Sequence, residues 1–331
     1  MESTSASTVL SEFGTPATVL VIGAAGFVGR HLLSSLAADP ALSVCATKLA
    51  FETMDLTLFP SVRVYDLDIT ENGTTEKLLE ELRPDVIYHL AAQSSVALSF
   101  QKAELTMRIN VLGSLHVMEA VRAVCPNCAV LFIGSAEQYG PVPPELQPVK
   151  ETTHLAPVSP YAISKMTVEA MATLYAKSYG LHFRMIRAFN HIGPGQLPLF
   201  VVSDFARQIV RIEKGLEEPV MRVGNLSARR DFTDVRDIVR GYRLLAEKGR
   251  DGEVYNIGSG HSVPIQAVLD LLLSLSGTSI EVVPDPAKFR PVDVPEFVAD
   301  ITKLREDTGW QPIIPIETSL SDVLEYWRLN V

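Results

Sequence analysis

The chain has 331 residues, and its 39 acidic against 29 basic side chains give a formal net charge of -10. Nearly half of it (47%) is hydrophobic, enough to fill one large domain or two unequal ones and too much for a largely disordered chain. An average field of this sign repels polyanions, which excludes nucleic acid and anionic membrane surfaces as main partners, and no apolar run approaches the roughly 20 residues of a membrane span.

Residues 1–16 are rich in Ser and Thr and carry no basic residue, so they are expected to form a loose leader and lack the charged start of a secretory signal. From Ala17 onward, short β-branched runs at 19–22, 42–47, 62–65, 86–90, 130–133 and 183–186 alternate with stretches of helical period at 27–36, 74–82, 105–124 and 161–179. Six strands with crossover helices make a doubly wound parallel α/β sheet. Cys45, Cys125 and Cys128 are too few, and odd in number, for a disulfide framework. They read as reduced thiols of a cytoplasmic protein, and no second Cys/His pair stands near Cys125 and Cys128 to complete a metal site. Beyond Ile186 a Gly/Pro segment, 190–198, breaks the alternation, and helical patterns at 205–214, 235–247, 265–274 and 320–329 mix with short strands at 254–257 and 280–283. The expected division is a dinucleotide-binding domain of 17–187 plus about 231–258, and a smaller α/β substrate-binding lobe of about 188–230 plus 259–331.

The first strand runs into Gly23, Ala24, Ala25, Gly26, Phe27, Val28, Gly29, and a helical pattern follows. Glycines at this spacing allow a tight turn, close approach of the backbone to a pyrophosphate and close packing of helix on strand, while the helix N-terminus offers free N–H groups to the phosphates. In this context the loop predicts a Rossmann-type site for NAD or NADP. An acid ending the second strand would bind the ribose 2′-hydroxyl, but Val44 to Lys48 contains none. Lys48, and Arg30 just past the last glycine, are the candidates to meet a 2′-phosphate. Asp68 and Ile69, after the third strand, are placed to hold an adenine.

Tyr161 and Lys165 lie four apart in a helical stretch and so face the same way. An ammonium beside a phenol lowers its pKa from about 10 toward neutrality, which makes a tyrosine usable as a general acid or base. Ser135 follows the fifth strand at the carboxyl edge of the sheet, where a hydroxyl can polarise a carbonyl that the tyrosine protonates.

These residues, with Leu90, Ala91, Ala92, then Asn110, then the run from Ser135 to Gly140, then Pro160, resemble the extended short-chain dehydrogenase/reductases that modify nucleotide sugars, over nearly all of 17–331. The resemblance implies catalytic roles for Ser135, Tyr161 and Lys165 and coenzyme contacts for Leu90, Ala91, Ala92 and Asn110. It also implies a homodimer, because 105–124 and 161–179 correspond to the helix pair of a four-helix interface in that group. The run from Arg187 to Gln196, with the later Arg230 to Val235 and Val254 to Ile257, is similar to the GDP-4-dehydro-6-deoxy-D-mannose reductases, which make GDP-D-rhamnose. That likeness assigns contacts with a GDP-linked sugar to Asn190, Gln196, Arg222, Arg230 and Arg290. Arginine forks suit phosphate. Glu137 departs from a plain reductase pattern, since it stands where related sugar 4,6-dehydratases carry the base that removes the C5 proton.

The sequence thus favours an NAD(P)H-dependent reductase of a nucleotide-linked 4-keto-6-deoxy sugar, with a GDP-mannose 4,6-dehydratase or an epimerase as the alternative. A cofactor sensor without turnover is disfavoured by the intact Ser135, Tyr161 and Lys165. Because no carboxylate ends the second strand, NADPH is expected to be accepted at least as well as NADH; a strong preference for NADH in steady-state kinetics would refute this reading.

Overall fold

The computed structural model describes residues 17–288 and 294–331. The β-branched runs form β1 (Ala17–Ile22), β2 (Leu42–Lys48), β3 (Arg63–Asp66), β4 (Val86–His89), β5 (Ala129–Ile133) and β6 (Phe183–Ala188), within two residues of the pattern in the sequence. Seven further strands follow: β7 (Asn190–Ile192), β8 (Val220–Val223), β9 (Arg229–Asp234), β10 (Val254–Ile257), β11 (Ser262–Pro264), β12 (Glu281–Pro284) and β13 (Glu296–Phe297).

The main sheet has seven strands in the order β10-β6-β5-β4-β1-β2-β3, one more than the six-strand pattern, because β10 pairs in parallel with β6 after the chain has left the sheet and returned. Every pairing in it is parallel. Strand order reverses between β1 and β4, so a crevice opens beyond their carboxyl ends, where sheets of this kind bind ligands.

The helices are α1 (Phe27–Ala37), α2 (Thr74–Leu82), α3 (Val96–Gln101), α4 (Ala103–Met107), α5 (Ser114–Val124), α6 (Pro160–Tyr179), α7 (Val201–Glu213), α8 (Val235–Lys248), α9 (Ile265–Ser276), α10 (Thr302–Thr308) and α11 (Ile316–Asn330). One face of the sheet is covered by α1 and α8 through Leu32, Leu33, Leu36, Ile238 and Tyr242, joined by Leu304 and Trp310. The other is covered by α2, α5 and α6 through Leu79, Val117, Val121, Val168 and Ala172. Covered on both sides, β1 reads Val19, Leu20, Val21, Ile22 without polar alternation, as a buried parallel strand does.

The single helix expected over 105–124 is interrupted. Between α4 and α5 the chain makes a π turn at Arg108–Gly113, and the turn holds Asn110 buried against the Gln93 backbone and Ser164. Such turns insert a residue and re-aim a side chain without ending the helix, which a periodicity count does not register.

The smaller lobe has its own core, where Val202, Phe205 and Ile209 of α7 meet Leu269 and Leu272 of α9 and Leu320 and Leu324 of α11. Its strands form one sheet of β7, β9, β11 and β13, and a pair of β8 and β12. Beside them a small apolar cluster of Tyr139, Phe189 and Phe297 closes the space between this lobe and the end of β5.

Candidate active site

The glycine loop is pinned from both neighbouring strands. Thr47, at the end of β2, accepts the Gly23 N–H on Oγ1 at 3.2 Å and the Ala24 N–H on its carbonyl at 2.8 Å. On the β4 side Leu90 donates its N–H to Ile22, and a Cβ placed on Gly23 would lie 2.6 Å from the Ala91 nitrogen. Gly23 also has φ +84°, so both the turn and the close approach need glycine. At Gly29 a Cβ would come 2.5 Å from the Ala24 carbonyl oxygen, which is the tight crossing of helix and loop.

Gly26 differs: it is exposed, and a Cβ there would meet only the Gly23 carbonyl oxygen, at 3.7 Å. It caps α1 without a side-chain hydrogen bond, and the first turn has no acidic residue. The first N–H groups of an eleven-residue helix therefore face an open cradle, which fits a pyrophosphate.

Around this cradle, Val28 packs into the α1 side of the core, and the Phe27 ring lies nearly parallel to His191, centroids 6.1 Å apart. His31 bonds the Pro194 carbonyl at 2.8 Å. Leu90, Ala91 and Ala92 are half-buried along the far wall. Exposed Arg30 turns back onto the Ala25 carbonyl. Asp68 is half-buried and accepts the Thr70 N–H and hydroxyl, whereas Ile69 is buried beneath Gly113. Lys48 is paired with Asp66 at 2.6 Å, a carboxylate that a reading confined to the end of β2 does not find.

The candidate catalytic side chains meet where β5 and α6 approach each other. After Ile133 the chain turns through Gly134 and Ser135 into a short 3-10 turn, Ala136–Tyr139. The Ser135 hydroxyl accepts the Glu137 N–H at 3.2 Å, and Gln138 Oε1 accepts the Ser135 N–H at 2.9 Å. Ser159 caps α6 on the Ala162 N–H and Pro160 starts it, which brings Tyr161 and Lys165 onto the face turned toward β5. Both are buried, at 8% and 9% exposure.

Tyr161 lies beside Ser135, and Lys165 Nζ donates to the Ile133 carbonyl at 2.7 Å, 6.0 Å from the centre of the Tyr161 ring. Burial pushes the Tyr161 phenol up to about 12; the Ser135 hydroxyl opposes this rise and the Glu137 charge adds to it. Burial also lowers the Lys165 ammonium to about 8. The geometry thus departs from the expectation that Lys165 brings the phenol toward neutrality. Loss of water around the ring outweighs an ammonium that is itself desolvated and turned to a backbone carbonyl. Tyr161 stands as a protonated phenol, the form a general acid needs.

A buried polar network that the sequence reading did not single out holds this turn. Arg187, inside β6, forms a two-point ion pair with Glu169 of α6 at 2.8 and 2.6 Å and donates to the Tyr139 hydroxyl and the Glu151 carbonyl. Gln138 donates to the same Glu169, and Tyr139 donates to Asn256 on β10 at 2.7 Å. The one available sign was Arg187, one of two arginines in a strand whose other residues are apolar.

The side chains expected at the substrate are spread along the lobe's edge. Asn190 at the start of β7 and Arg222 on β8 are exposed. Gln196 is buried and donates to the His191 carbonyl. Half-buried Arg230 donates to the carbonyls of Arg229 and Val294. Arg290 lies outside the described residues. The acids of the Arg230 to Val235 run are structural ties: Asp231, fully buried, accepts N–H groups of Ser259, Gly260 and Ala299, and Asp234 caps α8 and accepts from Arg236 and Ser319. Asn110, expected at the coenzyme, has its amide committed to Gln93 and Ser164.

A glycine loop at the switch point of a parallel sheet, with Ser, Tyr and Lys converging beside it, defines an NAD(P)-dependent oxidoreductase of the extended short-chain type. The family model described as GDP-mannose 4,6 dehydratase matches residues 20–323, and the chain belongs to that family of nucleotide-sugar enzymes. It is 35% identical over 313 residues, 95% of this chain and 98% of the relative, to the GDP-6-deoxy-D-mannose reductase of Pseudomonas aeruginosa. The structure of RMD from Pseudomonas aeruginosa complexed with NADPH is similar at a TM-score of 0.83 and 31% identity, over 95% of this chain and all of that one. UDP-glucose 4-epimerase from Thermotoga maritima with UDP-glucose is similar at 0.86 and 30%, over 95% and 99%.

Two outcomes test this geometry. Arg187→Met leaves Glu169 in a buried site without its counter-ion, held only by Gln138, so thermal or urea unfolding is expected to show a loss of about 3 to 5 kcal/mol; a loss below about 1 kcal/mol would mean that water reaches the carboxylate. With Lys165 lowered to about 8 and Tyr161 raised to about 12, kcat/KM is expected to fall through an apparent pKa near 8 as the ammonium is lost. The sign for stability is opposite: between about 8 and the ordinary 10.5 the unfolded chain holds a proton that the folded one has released, so the penalty of burying Lys165 is relieved as pH rises. An activity profile flat up to the tyrosine range would show that the charge on Lys165 is not needed.

Proposed function

We propose that the protein uses NAD(P)H to reduce the 4-keto group of a nucleotide-linked 6-deoxy sugar, GDP-4-dehydro-6-deoxy-D-mannose, to GDP-D-rhamnose. The observation that carries this reading is a phenol kept protonated by burial, beside a serine at the carboxyl edge of the sheet. Ketone reduction requires one acid at the carbonyl oxygen, and Tyr161 has that form. The near end-to-end match to a relative named as the corresponding reductase supports the choice of sugar.

The coenzyme, when bound with its pyrophosphate on the α1 cradle, supplies the hydride that ends on sugar C4. Ser135 donates its hydroxyl to the ketone oxygen and fixes its direction. Tyr161 passes its proton to the same oxygen as negative charge builds there. Lys165, held at the Ile133 carbonyl with further ammonium protons to donate, stabilises the phenolate left behind and orients the nicotinamide ribose. Asn190, Arg222 and Arg230 hold the nucleotide sugar at the edge of the smaller lobe, with the guanidinium groups directed to its diphosphate.

A second reading rests on Glu137. Its carboxylate is half-buried and its backbone N–H bonds the Ser135 hydroxyl, a position that suits a base for loss of water from GDP-mannose. We also propose a cytoplasmic homodimer, supported by three free cysteines and by exposed Leu112, Ile163 and Leu174 along the α5 and α6 side.

Stoichiometry separates the two readings, because a reductase consumes one external coenzyme per turnover and a dehydratase consumes none. Purified protein is expected to oxidise NADPH one for one with GDP-4-dehydro-6-deoxy-D-mannose and to leave GDP-mannose unchanged. Tyr161→Phe should bind coenzyme and lose roughly 100- to 10,000-fold in turnover, while Glu137→Gln keeps measurable reduction. Water loss from GDP-mannose without added coenzyme, abolished by Glu137→Gln, would replace the reductase reading with the dehydratase one.

A further inference from the structure

Lys48 and Asp66 stand opposite each other in the β2-β3 register, at the carboxyl ends of both strands. Their side chains meet at 2.6 Å, and Lys48 Nζ also reaches the Leu49 carbonyl at 3.3 Å. The pair is one residue from Thr47, whose hydroxyl and carbonyl hold the first two N–H groups of the glycine loop. In a sheet of this type, the end of the second strand beside that loop is where the adenosine ribose and its 2′ substituent lie. The exposures are unequal: the Lys48 side chain is 19% accessible and that of Asp66 59%.

We propose that Asp66 is a specificity-determining residue for the coenzyme and acts through Lys48: by engaging the ammonium it restrains binding of the 2′-phosphorylated form relative to the unphosphorylated one. The inference rests on the dinucleotide reading of the site.

A 2′-phosphate arriving beside Lys48 competes with a carboxylate already in contact with that ammonium, so part of the attraction it would gain is already taken up. A 2′-hydroxyl brings no charge and leaves the pair intact. Arg30 does not take part in the pair: its guanidinium is exposed and bonded to the Ala25 carbonyl. It can attract the phosphate in either case, so Asp66 reduces a preference for NADPH without abolishing it. Because Asp66 is largely exposed, solvent screens the effect and holds it to the range of exposed ion pairs.

Equilibrium dissociation constants for NADPH and NADH, from the quenching of intrinsic fluorescence, would be measured for the full chain, Asp66→Asn, Lys48→Ala and the double variant. Asp66→Asn is expected to raise the ratio of NADPH to NADH affinity by roughly two- to five-fold, and to raise it less at high salt. In the Lys48→Ala background the same change should leave the ratio unaltered, because the ammonium contested by carboxylate and phosphate is gone. An unchanged ratio in Asp66→Asn, or a rise of equal size without Lys48, would overturn the proposal. Failure of the unmodified chain to bind either coenzyme would instead overturn the dinucleotide reading beneath it. Circular dichroism melts of each variant distinguish lost binding from lost folding.

Discussion

The placement of the reacting groups depends on the buried ion pair between Arg187 and Glu169. The partners come from β6 and α6, elements that also pack through Val168, Ala172, Phe183 and Met185, and their side chains are 6% and 11% exposed. Taking two charges out of water is unfavourable unless every remaining donor and acceptor is met. Here Gln138, the Tyr139 hydroxyl and the Glu151 carbonyl meet them, and two of these three belong to the turn that begins at Ser135. Apolar packing would hold β6 on α6 equally well, but it would tolerate small shifts that directed bonds do not. The turn that follows Ser135 is therefore tied to α6 and β6 by directed bonds from Glu169 and Arg187.

That dependence explains a chemistry in which burial has opposite effects on neighbours. The phenol and the ammonium both favour their neutral forms when dry, so the same enclosure that keeps Tyr161 protonated makes Lys165 readier to lose its proton. A protonated phenol and an ammonium of lowered pKa are thereby obtained from one environment. His89, beneath them on the same sheet face, is likewise kept neutral by burial, its ring bonded to Ser114.

The sheet, its strand limits and the glycine loop were legible because they follow from local rules: period, β-branching and the spacing of Gly23, Gly26 and Gly29 each act over a few residues. The constellation of Ser135, Tyr161 and Lys165 was legible because strand ends in a parallel sheet converge on one edge. What escaped depends on pairs distant in the chain. Asp66 reaches Lys48 only through strand register, and Arg187 reaches Glu169 through helix packing. Asp231 and Asp234 sit in a run that resembles sugar-nucleotide enzymes throughout, yet their carboxylates are occupied by backbone and side-chain donors of this chain. Resemblance identified the run and left open which of its members face a ligand.

The nearly parallel rings of Phe27 and His191, with His31 bonded to the Pro194 carbonyl, bear on how this architecture can diversify. Phe27 and His31 open α1 immediately after the glycine loop, while His191 and Pro194 belong to the segment that leads into the smaller lobe. The natural breakpoint for exchanging substrate lobes, just after β6, would separate these partners although more than 150 positions lie between them in the chain. A transplanted lobe must bring residues that match Phe27 and His31, or the start of α1 must be exchanged along with it. The segment after β6 and the start of α1 are thus one packing unit, though they are distant in the chain.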